Sequence, residues 1–126
     1  RLLDSVFEKA LTKLAAMAPE EQIKMMVSRI LEAAPDGRGE ILLTKKDAAD
    51  LGPQLLAAVE KLYTSKGVKP ELTISKQTIN ATGGFVLKAG NIEYNNTFET
   101  LIKASKGDLE GQIVSVLFAG ETHGQS

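Results

Sequence analysis

The chain contains no cysteine, no tryptophan and a single histidine, His123. Without cysteine there can be no disulfide framework and no thiolate nucleophile, and the absence fits a reducing compartment. A zinc site commonly needs about four Cys or His ligands, and only one such residue is present. His123 stands in a polar C-terminal stretch and is expected to be a solvated tail residue. A serine nucleophile would need a base nearby, and no Gly-x-Ser-x-Gly elbow occurs. No catalytic residue, metal ligand or cofactor site is expected.

Aromatic residues are few, at 5%, so the core must be built from Leu, Ile, Val, Ala and Met. An excess of one charge is missing too. Fifteen basic residues face sixteen acidic ones, for a net charge of −1. That balance gives no electrostatic footprint for nucleic acid, and none is expected as a partner. The lysines, among them Lys45, Lys46, Lys66, Lys69, Lys76, Lys88, Lys103 and Lys106, are scattered as on a solvated surface. No apolar run reaches the ~18–20 residues that cross a bilayer, so direct membrane insertion is not expected. No leader pattern opens the sequence. It starts at Arg1, already within a helical pattern, and is expected to be a fragment of a longer protein.

What is present is organised. The 126 residues, 43% of them hydrophobic, suit one domain or a small domain with a helical extension. Leu3, Phe7, Ala10, Leu14 and Met17 recur in alternating steps of four and three, the seam of a coiled coil. The same spacing also describes a surface helix packed on its own domain. Ala18-Pro19 ends that pattern, and Pro19, Glu20 and Glu21 suit the first turn of a second helix. Its wider stripe, Ile23, Met26, Val27, Ile30, Leu31 and Ala34, belongs to a helix that covers a sheet or core. Met17, Met25 and Met26 read as core gap-fillers rather than an adaptable binding surface.

Residues 35–39, Pro-Asp-Gly-Arg-Gly, form a turn cluster and the expected joint between a helical and an α/β part. Ile41 to Leu43 is a short strand. Thr44 and Asp47 have the spacing of a capping box and start a third helix, which stops or restarts at Gly52 before Pro53. Leu55, Leu56, Val59, Leu62 and Tyr63 carry its apolar face to a stop at Gly67. Leu72 to Ser75 is a second strand and residues 80–83 a loop. Phe85 to Lys88 and Ile92 to Tyr94 alternate around Ala89-Gly90-Asn91, the signature of a β-hairpin. Asn95, Asn96 or Thr97 then caps a helix that begins Phe98-Glu99 and carries Leu101 and Ile102. Ser105-Lys106-Gly107 and Gly111 interrupt it, so two pieces are expected, Thr97 to Ala104 and Asp108 to Phe118.

The expected order is ααβαβββα. This is an α+β fold: two N-terminal helices, then a small four-stranded, mostly antiparallel sheet covered on one face by helices. Residues 1–34 are expected to be a helical segment, 35–119 the globular domain and 120–126 a frayed tail. Two polar groupings invite a ligand and are better explained without one. Asp47 and Asp50 share a helix face but suit the positive end of the helix dipole. Thr82-Gly83-Gly84 has the form of an anion nest, yet the glycine pair leads into a strand and no Gly-Lys-Ser/Thr follows. A glycine pair permitting positive φ or a bulge before an edge strand is the better account.

Taken together, Gly83-Gly84, the hairpin, Asn96-Thr97-Phe98-Glu99 and the terminal Leu117-Phe118 resemble the E subunit of archaeal and vacuolar-type rotary ATPases. The resemblance covers residues 83–118 by motif and the rest by architecture only. It implies the C-terminal globular domain of that subunit with the last turns of its long coiled-coil helix. Such a subunit is non-catalytic and belongs to the peripheral stalk, which holds the catalytic head against rotor torque in a proton- or sodium-translocating ATPase or ATP synthase. Implied partners are a G/H-type coiled-coil stalk subunit, met by Leu3, Phe7, Ala10, Leu14 and Met17, and the catalytic-head subunits. The implied location is peripheral, on the cytoplasmic face of the membrane. The isolated fragment is expected to be able to pair with itself through the severed seam. Alternative readings are a stalk-like regulator of a flagellar or type III secretion ATPase, and a small-ligand or enzymatic α+β domain.

Overall fold

The computed structural model describes residues 2–104, with side chains from Ser5 onward. Leu117, Phe118, His123 and the expected second piece of the last helix lie outside the described residues.

Among the described residues nine elements follow in order: α1 (Leu2–Ala15), α2 (Pro19–Ala33), β1 (Arg38–Leu42), α3 (Lys45–Asp50), α4 (Gly52–Ser65), β2 (Glu71–Ile74), β3 (Gly84–Ala89), β4 (Ile92–Thr97) and α5 (Phe98–Ala104). The fold is α+β, as expected. The middle helix is in fact two, because Leu51 ends α3 in a helical cap conformation and Pro53 opens α4 in its first turn. Strand β1 begins earlier than expected. Arg38 and Gly39 of the turn cluster already pair with Glu71 and Leu72.

The four strands form one mixed sheet in the order β2-β1-β3-β4. Strands β1 and β2 run parallel, the α3–α4 pair being the crossover between them, while β1–β3 and β3–β4 are antiparallel. The hairpin closes through Gly90-Asn91, with positive φ at Gly90 only, the pattern of a type II′ turn. Strand β3 is therefore interior. The glycine pair leads into a central strand and not an edge strand, because β4 folds back on one side of it and β1 pairs on the other.

Ile41 pairs with Leu87, and both face a core shared with Leu43, Phe85 and Leu72 from the sheet side. From above it come Met26, Val27, Ile30 and Ala34 of α2 and its cap, and Leu55, Val59 and Tyr63 of α4. The wide stripe of α2 thus does what its spacing predicts and covers the sheet. Tyr63 locks the two helices together. Its hydroxyl donates to the carbonyl of Ala34 (2.6 Å) and more weakly to that of Ile30 (3.3 Å), at the end of α2. Helix α4 itself stops at Gly67, whose φ is +76°. There Gly67 and Val68 donate to the carbonyls of Thr64 and Tyr63 in a Schellman arrangement.

The second face of the sheet is not bare at its centre. Leu42 and Val86, paired in register and pointing away from the core, are 5% and 6% exposed. Toward the hairpin tip that face turns polar, with Glu40, Lys88 and Glu93 in one cross-strand row.

Candidate functional site

Two regions bear on function: the apolar face of α1, and the unit formed by the glycine pair with the start of α5.

Helix α1 carries Leu3, Phe7, Ala10 and Leu14 of the expected seam. Met17 falls two residues beyond its end, in the turn before α2. Phe7, Ala10, Leu14 and Met17 are all half-buried, as are Val6 and Leu11 beside them. None of them joins the hydrophobic core, which α2 and α4 supply from the helical side. The helix lies against α5. Its apolar stripe is therefore only part-covered, unlike those of the helices over the sheet.

The glycine unit is a close assembly. Gly84 pairs with Thr97, and the amide of Phe98 donates to the carbonyl of Gly83 (3.1 Å). Phe98, fully buried, lies where a side chain on residue 83 would have to be. Thr97 is the cap of α5: its hydroxyl oxygen accepts from the amide of Thr100 (3.3 Å). Asn95 supports it, accepting from both the amide (3.0 Å) and the hydroxyl (2.9 Å) of Thr97. Asn96 points to the core side, where its side-chain oxygen accepts from Nε of Arg29 on α2 (2.6 Å). One Glu99 oxygen accepts from the amide of Thr82 (2.9 Å) and from the Thr82 hydroxyl. Burial pushes the Glu99 carboxyl up, but these hydrogen bonds and Lys103 outweigh it, and the net shift is downward. Strand, cap and loop are thereby fixed with respect to one another. The amides of Thr82, Thr97, Phe98 and Thr100 are all engaged within the fold.

Sequence reasoning named Gly83, Gly84, Asn96, Thr97, Phe98 and Glu99 and did not see why they act together. It missed Arg29 and Gln22, and weighed Thr82 only as part of a possible anion nest. Gln22 had a signal: it stands four residues before Met26 and eight before Ile30, a polar residue on a buried stripe.

Asp47 and Asp50 border a cleft of about 320 Å³ between the end of α1, α3 and the loop at Ala81-Thr82. The Thr44 hydroxyl accepts from the Asp47 amide (3.0 Å), as the capping pattern predicts. Burial is the main cause that raises the Asp47 carboxyl, with Thr44 and Lys46 opposing and Asp50 adding. Among the described residues no three acidic, His or Cys side chains are grouped to hold a metal ion. No described helix is long and apolar enough to cross a membrane.

Comparison with known proteins gives these features a family. No family model matches the chain. Individual relatives do. It is 37% identical over 118 residues to an E subunit of the V-type ATP synthase of Clostridium tetani, a match covering 94% of this chain and 59% of that protein. It is 31% identical over 106 residues to the V-type ATP synthase E subunit of Acetivibrio thermocellus, covering 84% and 54%. The E subunit of a V-type proton ATPase of Thermoanaerobacter pseudethanolicus is 32% identical over 117 residues, covering 93% and 58%. The chain spans rather more than half the length of these relatives, and the matches extend well beyond the glycine unit into α1 to α4. Over the residues it spans, this chain belongs to the E-subunit family of V-type ATPases and ATP synthases.

Proposed function

We propose that the chain is the globular part of a non-catalytic peripheral-stalk subunit, together with the last turns of its stalk helix. In this reading it links the catalytic head of a proton- or sodium-translocating ATPase or ATP synthase to its membrane sector and resists rotor torque. It acts on the cytoplasmic side, attached to the complex and not inserted in the bilayer.

The observation that carries the reading is the part-covered apolar face of α1 on a chain of the E-subunit family. A tether under load needs a broad apolar attachment rather than a polar active site. Phe7, Ala10 and Leu14 offer one, with Leu3 preceding them on the same helix. Their partner is a G/H-type coiled-coil stalk subunit, and the sheet-bearing end meets head subunits. Without the stalk partner, two copies of the isolated fragment would pair through the same face.

The test is to purify the full-length protein from its host in mild detergent and identify its stoichiometric companions by mass spectrometry. Catalytic subunits of a rotary ATPase with a small coiled-coil partner are expected. A flagellar or secretion ATPase as companion, or a lone protein holding a metabolite, would replace the reading.

A further inference from the structure

Helix α1 ends in a joint that its sequence does not advertise. Only residues 16–18 separate it from α2, and Pro19 stands in the first turn of α2 with its φ fixed by the ring. The last carbonyls of a helix have no intrahelical donor and must find one elsewhere. Here three carbonyls at the end of α1 and in the turn after it converge on one group. The side-chain amide nitrogen of Gln22 lies 3.0 Å from the carbonyl oxygen of Met17, 3.3 Å from that of Ala15 and 3.4 Å from that of Leu14. Its two hydrogens are shared among the three acceptors.

Gln22 is 8% exposed and continues the buried stripe of Met26 and Ile30, where an apolar side chain would be ordinary. A carboxamide placed there is costly unless it is hydrogen-bonded, and the end of α1 supplies its bonds. No described α1 side chain joins the core, and the 320 Å³ cleft separates Ala15 and Met17 from Asp47 and Leu51. Helix α1 also packs against α5.

We propose that Gln22 is the positioning residue of an elbow: its amide fixes the direction in which α1 leaves the domain. Its loss frees α1 to swing about residues 16–18 while the sheet and its helices stay folded. The proposal goes beyond the stator reading and does not depend on it, since it concerns two helices of one chain. If the chain is a stator, load on α1 reaches the domain through this joint.

The experiment is a spin-label distance measurement on the full-length chain, with labels on Lys9→Cys in α1 and Glu60→Cys in α4, both exposed positions. The wild-type background is expected to give one narrow distance; a broad distribution there already overturns the proposal. Gln22→Leu keeps the bulk and removes the donors, and is expected to lose the narrow distance while unfolding remains a single cooperative transition. Retention of the wild-type distance by the leucine variant would show that other contacts of α1 set the direction, and the proposal would fail. Gln22→Glu decides the matter if the leucine variant does not fold. Its carboxylate form faces three acceptors and its protonated form restores a donor; burial and the carboxylates of Asp47 and Asp50 on the same cleft favour the protonated form, so the distance is followed from acid to about pH 10. The narrow distance should be present in acid and be lost as the carboxyl ionises, with wild type unchanged across the range. A distance in the glutamate variant that ignores pH would overturn the proposal equally.

Discussion

A Cβ built on Gly83 would overlap Cε2 of Phe98, with two further carbons of the same ring inside 3.0 Å. The glycine is the space in which the aromatic ring sits. At Gly84 the obstacle is different: a Cβ would overlap the carbonyl oxygen of Asn96, and the residue has a φ of +87°.

These two obstacles predict different genetics. Gly83→Ala and Gly84→Ala should each destabilise the fold by at least about 1–3 kcal/mol, the usual cost of overpacking. Adding Phe98→Leu should recover part of the loss at Gly83, because the blocking atoms are side chain. No side-chain truncation should rescue Gly84→Ala, because there the blocking atoms are backbone and the conformation itself is strained. Denaturant unfolding of the single and double variants measures both.

Tyr63→Phe should cost about 1 kcal/mol, the net worth of a buried hydrogen bond whose acceptor keeps another partner. Ala34 still accepts from Gly37 and Ile30 still accepts from Ala34. Burial, with Asp36 adding, raises the Tyr63 phenol above its ordinary range. A raised folded value contributes stability that is complete below the unfolded value of about 10 and is lost as pH climbs through the folded one. Wild type should therefore weaken above about pH 10 more steeply than the phenylalanine variant. Thermal midpoints measured across alkaline pH decide it.

The Thr82–Glu99 clamp should show the opposite sign. A lowered carboxyl contributes stability that is present above the unfolded value of about 4.3 and lost as pH falls through the folded one. Thr82→Val removes the hydroxyl donor, so it should be less stable than wild type at neutral pH. The gap should close in acid, once Glu99 is protonated in both. A gap independent of pH would mean that the threonine acts by packing alone.

Asp47 predicts a gain. Its raised carboxyl means that ionisation works against the folded state at neutral pH, where the unfolded chain is ionised freely. Asp47→Asn should be as stable as wild type or more so near pH 7. The advantage should shrink as pH falls through the raised folded value and be gone below the unfolded value of about 3.9, where the aspartate is protonated in both states. Thr44 still caps α3 in the variant, since its partner is the backbone amide. Thermal midpoints of the two proteins at neutral and acid pH check this.

The attachment face proposed on α1 can be tested apart from the fold. Phe7→Asp or Leu14→Asp in the full-length chain should abolish recovery of the stalk partner. The thermal midpoint should move far less than in a core variant such as Leu55→Asp, because Phe7 and Leu14 are half-buried and outside the core.

Much of this was legible in the residues. Spacing along α2 named Met26, Val27, Ile30 and Ala34, all of which face the sheet. Thr44 and Pro53 marked helix starts through local backbone chemistry, and Gly67 marked a stop in the same way. The hairpin followed from alternation around Gly90-Asn91. Periodicity did not say that α1 would stop at Ala15 and leave Met17 outside it, or that Gln22, a residue of the next helix, would bond to that end.

The sequence by itself determined the local structure and the family, because helix period, strand alternation, caps and turns depend on residues a few positions apart. Only the tertiary structure decided that β3 is interior, that β2 lies parallel to β1, and that Gly83 is the seat of Phe98. It likewise decided which polar side chains act as fasteners: Gln22 on the end of α1, Tyr63 on the end of α2, Glu99 on the loop at Thr82. A hydrogen bond needs its two atoms within about 3 Å of each other, and for such pairs only the folded chain brings them there.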